Sequence, residues 1–277
     1  MKTIHFVILT WNSEKLIGRC LDSLLDFQQI RSIIYVVDNG STDQTRKVIE
    51  EKKKNHDSIH SISIIPLEKN VGTTKSRNIA LRGILTAAKE EDYICVLDSD
   101  TEVSENAIMT LIQELEKDPR NGIIGPQMFG ANGELQLSAR DAPTIKEKFL
   151  NVVSDQNLQR QQQEMQKQNK KSKETAYPVG YLLSACWLMR PSLLEKIGLL
   201  DERIFYAPED AEFCIRAWKN GQRVLYCPAA KILHHWQRLS KKKLISKHNF
   251  EHLKGLAYLF IKHRYCFSAA KIKALMF

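Results

Sequence analysis

The sequence lacks several features that mark common classes of protein. Its six cysteines include no Cys-x-x-Cys pair, and several of them lie in apolar runs, where they act as small hydrophobic residues. No stretch reaches the roughly 18 apolar residues that a transmembrane helix needs. The first apolar run is interrupted by polar residues 12–14, too early for a signal peptide. These absences predict a cytoplasmic protein that does not span a membrane.

Acidic residues are scarce in the last fifth of the chain. Residues 228–277 contain 11 Lys and Arg but a single acid, Glu251, and therefore carry a charge of +10. The preceding 227 residues contain 30 basic and 31 acidic residues, a charge of −1. A basic excess confined to one segment indicates contact with nucleic acid, an anionic membrane surface or an acidic substrate.

The first 115 residues alternate apolar runs with segments of helical periodicity. Apolar runs end near residues 10, 37, 66 and 97, and each is followed by a segment with apolar residues at helical spacing. Four strand-then-helix units predict an α/β fold with a mostly parallel sheet, wound on both faces with right-handed crossovers. Later strands are expected at residues 122–128, 177–190, 223–226 and 231–233, with helices after Pro191 and Pro208.

Polar residues follow all four strands at the same predicted edge of the sheet. The fourth strand ends at Asp98 and Asp100, with one small residue between them. Ligands of open α/β sheets bind beyond the carboxyl ends of the strands, where two acids can hold a hard divalent cation. An isolated Asp-x-Asp is otherwise an ordinary polar turn. Here the polar ends at residues 10–12, 38–43 and 70–72 favour a site.

A second acidic cluster lies far along the chain. Pro208 precedes a predicted helix whose first turn contains Glu209, Asp210 and Glu212. Acids in the first turn of a helix are stabilised by the helix dipole, which is the structural alternative to a functional role. Helix capping does not need three acids. We therefore consider the cluster a candidate functional site.

Five motifs occur in a defined order along the chain. They are VDNGSTDQT at 37–45, NVGTTKSRN at 70–78, VLDSDTEV at 96–103, LLDERIFYAPEDAEFCIRAWKNG at 199–221 and HHWQR at 234–238. Together they resemble the inverting family 2 glycosyltransferases of the GT-A fold, in particular their bacterial rhamnosyltransferase-like branch. The resemblance covers roughly residues 1–240. It implies a Rossmann-like central sheet flanked by helices, and it does not extend to the Gln-rich insertion or to the last three dozen residues, which the sequence itself predicts to be a basic helical tail.

The resemblance and the composition together divide the chain into three expected parts. Residues 1–130 form the nucleotide-sugar-binding half, and residues 131–239 form the acceptor-binding and catalytic half of the same domain. Residues 154–176, rich in Gln and Lys, are expected to be a flexible insertion or a solvated helix, serving either as a lid or only as a tolerated insertion. Residues 240–277 form a basic amphipathic helical tail.

The resemblance also implies site residues for the donor. Asp38 is expected to hydrogen-bond the base, and Arg77 is expected near the base or a phosphate. Asp98 is expected nearer the ribose. The residues expected to bind the nucleotide sugar are Thr10, Trp11, Asn12, Asp38, Asn39, Arg77 and Asp98.

The metal and catalytic residues follow from the same resemblance. Asp100 is expected to bind Mg²⁺ or Mn²⁺ directly, with help from Asp98. His234 or His235 is expected to complete the metal shell, and His234 is favoured because the HHWQR motif begins there. Asp210 matches the catalytic base of the family, and Glu209 is its neighbour in the pair.

The expected reaction is a metal-dependent transfer of a sugar, rhamnose favoured, with inversion. The donor is a dTDP- or UDP-sugar, and the acceptor is a hydroxyl of a surface polysaccharide or a lipid-linked glycan. Glu212 and Trp11 depart from the Asp and Tyr common in the family, which leaves the donor sugar open.

Two alternative functions are a sugar-nucleotide nucleotidyltransferase and a nucleic-acid-binding protein. A nucleotidyltransferase should have a Gly-rich basic loop where WNSEKL stands. The acids at the sheet edge argue against nucleic acid, and the tail's aromatic residues form no stacking platform.

The tail has the composition of an interfacial amphipathic helix, because apolar residues alternate with Lys, Arg and His. This pattern predicts peripheral attachment to the inner face of the cell membrane, close to a polyprenyl-linked acceptor. The alternative is a helix packed on the domain or on the second subunit of a homodimer. The apolar residues in question are Leu244, Ile245, Phe250, Leu253, Leu256, Leu259 and Phe260.

Overall fold

The structure is a computed structural model that describes residues 1–54, 59–145, 155–235, 247–266 and 268–276. The strands are β1 (Lys2–Thr10), β2 (Ile30–Asp38), β3 (Ser61–Pro66), β4 (Tyr93–Asp98), β5 (Thr101–Glu102), β6 (Asn121–Phe129), β7 (Ala139–Arg140), β8 (Tyr177–Pro178), β9 (Tyr181–Leu182), β10 (Cys186–Met189) and β11 (Arg223–His234). The helices are α1 (Ile17–Leu25), α2 (Thr45–Lys54), α3 (Thr73–Ala87), α4 (Glu105–Glu116), α5 (Asp155–Lys171), α6 (Pro191–Ile197), α7 (Glu209–Lys219), α8 (Lys247–His263) and α9 (Ala270–Lys273).

A large mixed sheet runs through the molecule in the order β3-β2-β1-β4-β10-β6-β11-β5, with β8 paired to β11. Strands β1 to β4 are parallel to one another, as the four strand-then-helix units predict. Strand β10 then joins β4 and β6 in antiparallel fashion, and β11 runs parallel to β6. A separate pair, β7 and β9, forms a second small sheet. The predicted α/β class and sheet are therefore confirmed.

Two hydrophobic cores lie on the two faces of this sheet. Alternate residues of a strand point to opposite faces, so Phe6 of β1 contributes to one core and Val7 to the other. The core around Phe6 is covered by α1, α2 and α4, which supply Leu21, Ile49 and Leu111. The core around Val7 is covered by α3, α7 and α8. Burial on both faces explains why the strands have nearly continuous apolar sequences.

The register of the parallel strands brings their polar ends together. Thr10 pairs with Asp38 at the end of β2, and Leu9 pairs with Asp98 at the end of β4. Asp38 in turn pairs with Pro66 at the end of β3. The four polar strand ends therefore lie along one edge, as the sequence predicts.

Two predicted elements differ from the structure. Residues 223–226 and 231–233 belong to one strand, β11, because the chain stays extended while its pairing to β6 shifts between Cys227 and Lys231. Such an irregularity adds residues on one strand without ending the ladder. The insertion, from residue 155 onward, forms helix α5, so the helical alternative applies there. Helix α5 packs on the domain through buried Met165 and a 3.0 Å hydrogen bond from Gln162 to the carbonyl of Leu135.

Helix α8 does not present its apolar residues on a single face, contrary to the sequence interpretation. Leu256, Leu259 and Phe260 are buried against the domain, whereas Phe250 and Leu253 are exposed on the other side. Residues 244 and 245 lie outside the described residues. Within the described ranges, none of the helices combines the length and the apolar character needed to cross a bilayer.

Candidate active site

Three candidate metal ligands meet at the edge of the sheet. Asp98 ends β4, Asp100 lies in the turn that follows, and His234 ends β11, which reaches this turn by pairing with Thr101 of β5. One ligand atom from each of Asp98, Asp100 and His234 lies within 4.8 Å of the others. The Nε2 atom of His234 is 3.4 Å from Oδ1 of Asp100. Two carboxylates and one imidazole are a donor set suited to a divalent cation.

The orientation of His234 is set by Gln136, which the sequence gives no local signal to find. The side-chain oxygen of Gln136 lies 2.7 Å from Nδ1 of His234, and its amide nitrogen donates to the backbone carbonyl of the same residue at 2.8 Å. Because the amide oxygen can only accept, Nδ1 of His234 carries the proton. Nε2 is therefore the nitrogen that faces Asp100: it donates to Asp100 when the ring is protonated, and its lone pair is available to a metal when the ring is neutral.

His235 lies outside this cluster. Its Nε2 atom is 2.5 Å from Oε1 of Glu102, and only its backbone N–H reaches Asp100, donating to the carbonyl oxygen at 2.8 Å. The reason is the alternation of β11, in which Ile232 and His234 are buried while Leu233 is exposed. Of the two predicted alternatives, the structure brings His234 to the acids and His235 to Glu102.

The electrostatics of the cluster fit a cation. The pKa of Asp98 is raised because burial and the nearby charge of Asp100 outweigh the attraction of Arg77. Burial lowers the pKa of His234, but its hydrogen bond to Asp100 and the charge of that residue more than offset this and raise it. Both shifts express the cost of concentrating negative charge in a partly buried place, which a divalent cation would relieve.

Arg77 connects the two acidic clusters of the sequence. Its side chain is only 1% exposed, and its guanidinium donates to Asp98 at 2.6 Å while lying 3.5 Å from Glu209. It also donates to the carbonyl of Ser184 at 3.3 Å. This buried position lies between the acids, so a direct contact of Arg77 with the base or a phosphate stays a prediction.

The acids of the pair at the start of α7 have different environments. Glu209 is buried and accepts a 3.0 Å hydrogen bond from Ser184, whereas Asp210 is half-buried. Burial and repulsion from Asp210 raise the pKa of Glu209 to about 8, despite the attraction of Arg77. The charge of Asp210 thus makes ionisation of the buried Glu209 more costly. The geometry makes Asp210 the more accessible member of the pair.

Tyr206 lies near both acidic clusters, and sequence reasoning missed it. Although the residue is 44% exposed, partial burial of its phenol and the negative charges of Glu209, Asp98, Asp210 and Asp100 raise its pKa. The contacts of Arg77 with Asp98 and Glu209 place the two clusters side by side. The site thus combines candidate metal ligands and a candidate base, as a transfer reaction requires.

Asp38 and Asn39 organise the loops on the nucleotide side of the site. Asp38 is fully buried, forms an ion pair with Arg46, and accepts a 3.1 Å hydrogen bond from the backbone of Ser41. Asn39 accepts from the backbone of Val71 at 2.9 Å and so holds the turn that precedes α3. Both predicted residues are at the expected edge, and their contacts with a nucleotide stay predictions.

The end of β1 supplies the remaining predicted donor residues. Thr10 is buried, and among the described residues its hydroxyl has no hydrogen-bond partner. Trp11 is exposed, and Asn12 adopts a left-handed backbone with φ of 51° while its side chain accepts from the backbone of Thr42 at 2.8 Å. An exposed ring beside an unpaired buried hydroxyl is compatible with a bound ligand.

Comparisons with known proteins identify the family of the chain. A family model described as Glycosyl transferase family 2 matches residues 5–198. The N-acetylglucosaminyl-diphospho-decaprenol L-rhamnosyltransferase of Mycobacterium tuberculosis (strain ATCC 25618 / H37Rv) is 27% identical over 235 residues, which cover 83% of this chain and 75% of that protein. The poly-beta-1,6-N-acetyl-D-glucosamine synthase of Staphylococcus epidermidis is 31% identical over 121 residues, 44% of this chain and 27% of that protein.

Solved glycosyltransferase structures share the fold. S. aureus TarS 1-349 superposes with a TM-score of 0.60 at 20% identity, covering 100% of this chain and 69% of that one. GalNAc-T7, crystallised with UDP, GalNAc and Mn²⁺, gives a TM-score of 0.67 at 16% identity, and the chain spans 48% of its length. The nucleotidyltransferase and nucleic-acid alternatives gain no support from these matches. The chain belongs to glycosyl transferase family 2, and its fold is that of the GT-A glycosyltransferases.

Proposed function

We propose that the protein transfers a sugar, with inversion, from a nucleoside diphosphate sugar to a hydroxyl of a lipid-linked glycan or surface polysaccharide. The observation that carries the proposal is the position of Arg77, which contacts Asp98 of the metal cluster at 2.6 Å and lies 3.5 Å from Glu209 of the acidic pair. The cluster of Asp98 and Asp100 would hold a cation against the charged leaving group of the donor. The pair of Glu209 and Asp210 would accept the proton of the acceptor hydroxyl. Transfer needs both functions in one site.

Asp98, Asp100 and His234 would hold the cation, which is Mg²⁺ or Mn²⁺. We favour Mn²⁺ because the imidazole of His234 suits a transition metal better than Mg²⁺, which prefers oxygen ligands. GalNAc-T7 and a mannosyltransferase from Pyrobaculum calidifontis were both crystallised with Mn²⁺, which supports this choice. When bound, such a cation neutralises the charge that develops on the departing diphosphate.

The protein's own residues provide the other half of the reaction. Asp210 accepts the proton of the acceptor hydroxyl as that oxygen attacks the sugar from the face opposite the leaving group. Glu209, kept largely protonated by burial, and Arg77 fix the start of α7 beneath it. Thr10, Trp11, Asn12, Asp38 and Asn39 surround the nucleotide.

The names and titles of similar proteins support particular substrates. The mycobacterial relative is named for transfer of L-rhamnose to N-acetylglucosaminyl-diphospho-decaprenol, which supports a rhamnosyl donor such as a dTDP-sugar and a polyprenyl-linked acceptor. TarS has been crystallised with UDP-GlcNAc, so a UDP-sugar stays the second candidate. A lipid-linked acceptor would place the enzyme at the inner face of the cell membrane.

A donor screen tests the proposed function. Purified protein is incubated with dTDP- and UDP-sugars, with and without Mn²⁺, and release of the nucleoside diphosphate is measured. We expect turnover of one donor class that depends on the metal. Failure of every nucleotide sugar to be turned over or to raise the melting temperature would contradict the proposal.

Asp210→Asn tests the assignment of the base. General-base catalysis contributes about 100- to 10,000-fold, so we expect kcat for transfer to fall by that factor. Asp26→Asn, an exposed acid at the end of α1, is the matched control and should leave the rate unchanged. Wild-type turnover by Asp210→Asn would remove Asp210 from this role.

A further inference from the structure

The outward face of helix α8 carries an apolar stripe. Phe250, Leu253 and Ile261 are 67%, 65% and 77% exposed, and the exposed Ala257 lies between them. Their spacing of three or four residues places all four side chains on one side of the helix. Large apolar side chains exposed singly are ordinary, whereas a continuous row along a helix marks an interaction surface.

This stripe is not needed to hold α8 on the domain. The opposite face of the helix already packs inward through Leu256, Leu259 and Phe260. Gly255 lies so close to the domain that a Cβ atom there would be 2.2 Å from the carbonyl oxygen of Ala207. Since α8 satisfies its packing with this inner face, the outer stripe remains available to a partner.

Ion pairs fix the orientation of α8. Lys262 reaches Asp201 at 2.6 Å and Glu212 of α7 at 2.5 Å, and Tyr258 donates to Asp201 at 2.7 Å. Glu212 is fully buried and also pairs with Arg216 at 2.9 Å. Glu212, which departs from the Asp common in the family, therefore connects helix α8 to helix α7. Rotation of α8 that would bury the stripe would break these contacts.

The charges beside the stripe indicate its partner. Lys254 and Arg264 are exposed next to the apolar row, and Lys271 is exposed on the following helix α9. Glu251 is the only acid between residues 228 and 277. A second copy of the chain would bring basic residues against basic residues across a two-fold axis, which is unfavourable. An anionic lipid surface complements both the apolar row and its basic border.

We infer that the outer face of α8, defined by Phe250, Leu253, Ala257 and Ile261, is a docking surface for an anionic bilayer. The apolar side chains enter the boundary between headgroups and acyl chains, and Lys254 remains at the level of the lipid phosphates. The inner face meanwhile holds the start of α7. Docking would bring Asp210 close to a lipid-linked acceptor. That role rests on the proposed function, whereas binding of the surface to lipid does not.

Vesicle flotation of the full-length chain tests the inference. The vesicles consist of phosphatidylcholine alone or with phosphatidylglycerol, and neither donor nor metal is added, so the result is independent of the proposed activity. We expect wild-type protein to float with the anionic vesicles. The triple variant Phe250→Ser, Leu253→Ser, Ile261→Ser should bind at least about tenfold more weakly, since it loses most of the apolar contact.

Matched variants separate the surface from general effects. Ile59→Ser, at an exposed isoleucine outside α8, should float like the wild type. Lys254→Glu with Arg264→Glu should weaken binding to anionic vesicles only. Circular dichroism should show unchanged melting of the triple variant, because its side chains are exposed. Equal flotation of wild type and the triple variant would overturn the inference. So would absence of wild-type flotation together with a dimer that the triple variant converts to a monomer.

Discussion

Gln136 is the residue on which the candidate metal site depends most closely after its ligands. It accepts from Nδ1 of His234 at 2.7 Å and donates to the backbone of the same residue at 2.8 Å. Groups that orient a metal-bound histidine typically change metal affinity by about 10- to 100-fold when removed. Gln136→Met, which keeps the size but removes both hydrogen bonds, should therefore weaken Mn²⁺ binding by about that factor.

The readout for Gln136 is Mn²⁺ affinity, measured by electron paramagnetic resonance with UDP or dTDP present. Gln136→Glu is the informative control, because a carboxylate still accepts from Nδ1 and should retain tighter binding than Gln136→Met. Equal weakening in both variants, accompanied by a lower melting temperature, would mean that Gln136 has only a packing role.

Glu209 predicts a specific pH dependence of stability. Burial and the charge of Asp210 raise the pKa of Glu209 from 4.5 to about 8 in the folded protein. Between these values the folded state binds more protons than the unfolded state, so the free energy of unfolding falls as the pH rises through this window. The stabilising contribution is complete below pH 4.5 and is lost above about pH 8.

Glu209→Gln should remove this slope, because glutamine does not titrate. Chemical denaturation at several pH values within the window, without metal, measures it. The wild type should lose more stability than the variant as the pH is raised. Parallel curves for the two proteins would show that Glu209 titrates normally.

Most site residues could be located from the sequence, but their contacts could not. The sequence favours His234 over His235 because the HHWQR motif begins there, and the alternation of buried and exposed residues along β11 gives the physical reason. The contact between Gln136 and His234 joins positions 98 residues apart and leaves no local pattern. The position of Arg77 was not predictable either, because it is buried between Asp98 and Glu209, which belong to elements that meet only in the folded chain.

At the scale of elements, two helical glycines provide a matched comparison for the packing of α8. Gly255 lies inside α8 against the carbonyl of Ala207, whereas Gly83 lies inside α3, where an added Cβ atom would meet nothing within 4 Å. Replacing a helical glycine by alanine favours the helix by roughly 0.5–1 kcal/mol when space allows. Gly83→Ala should therefore stabilise the protein by about that amount.

Gly255→Ala should instead destabilise the protein, because the added Cβ would meet the carbonyl oxygen of Ala207 at 2.2 Å and force α8 away from the domain. Overpacking of this kind costs about 1–3 kcal/mol. Thermal unfolding of the two variants beside the wild type measures the difference. Stabilisation by both substitutions would show that α8 is not packed on the residues before α7.

Elements are predictable where local pattern decides them. The units from β1 to α4 follow from apolar periodicity and polar strand ends, and they form as expected. For helix α8 the sequence predicts a single apolar face, because it does not say which side of the helix meets the domain. The structure divides its apolar residues between an inner and an outer face, a consequence of contacts made by Lys262 and Gly255.

At the scale of the whole molecule, part of the basic charge of the C-terminal segment is neutralised by acids of the domain. Lys262 is used inside, between Asp201 and Glu212, and Lys273 pairs with Asp141 at 2.7 Å. The charge that remains around α8 borders an apolar row at the surface. Helix α7 and the proposed lipid-facing helix α8 are thus one packed unit, with the acidic pair at the start of α7.

Mn²⁺ binding in the presence of UDP or dTDP, compared between His234→Gln and His235→Gln, decides which residues form the metal site. Wild type and His235→Gln should bind Mn²⁺ with similar affinity, because His235 contacts Glu102. His234→Gln should bind at least about tenfold more weakly. Equal affinity of the two variants, or greater loss in His235→Gln, would contradict the central claim that Asp98, Asp100 and His234 form the metal site.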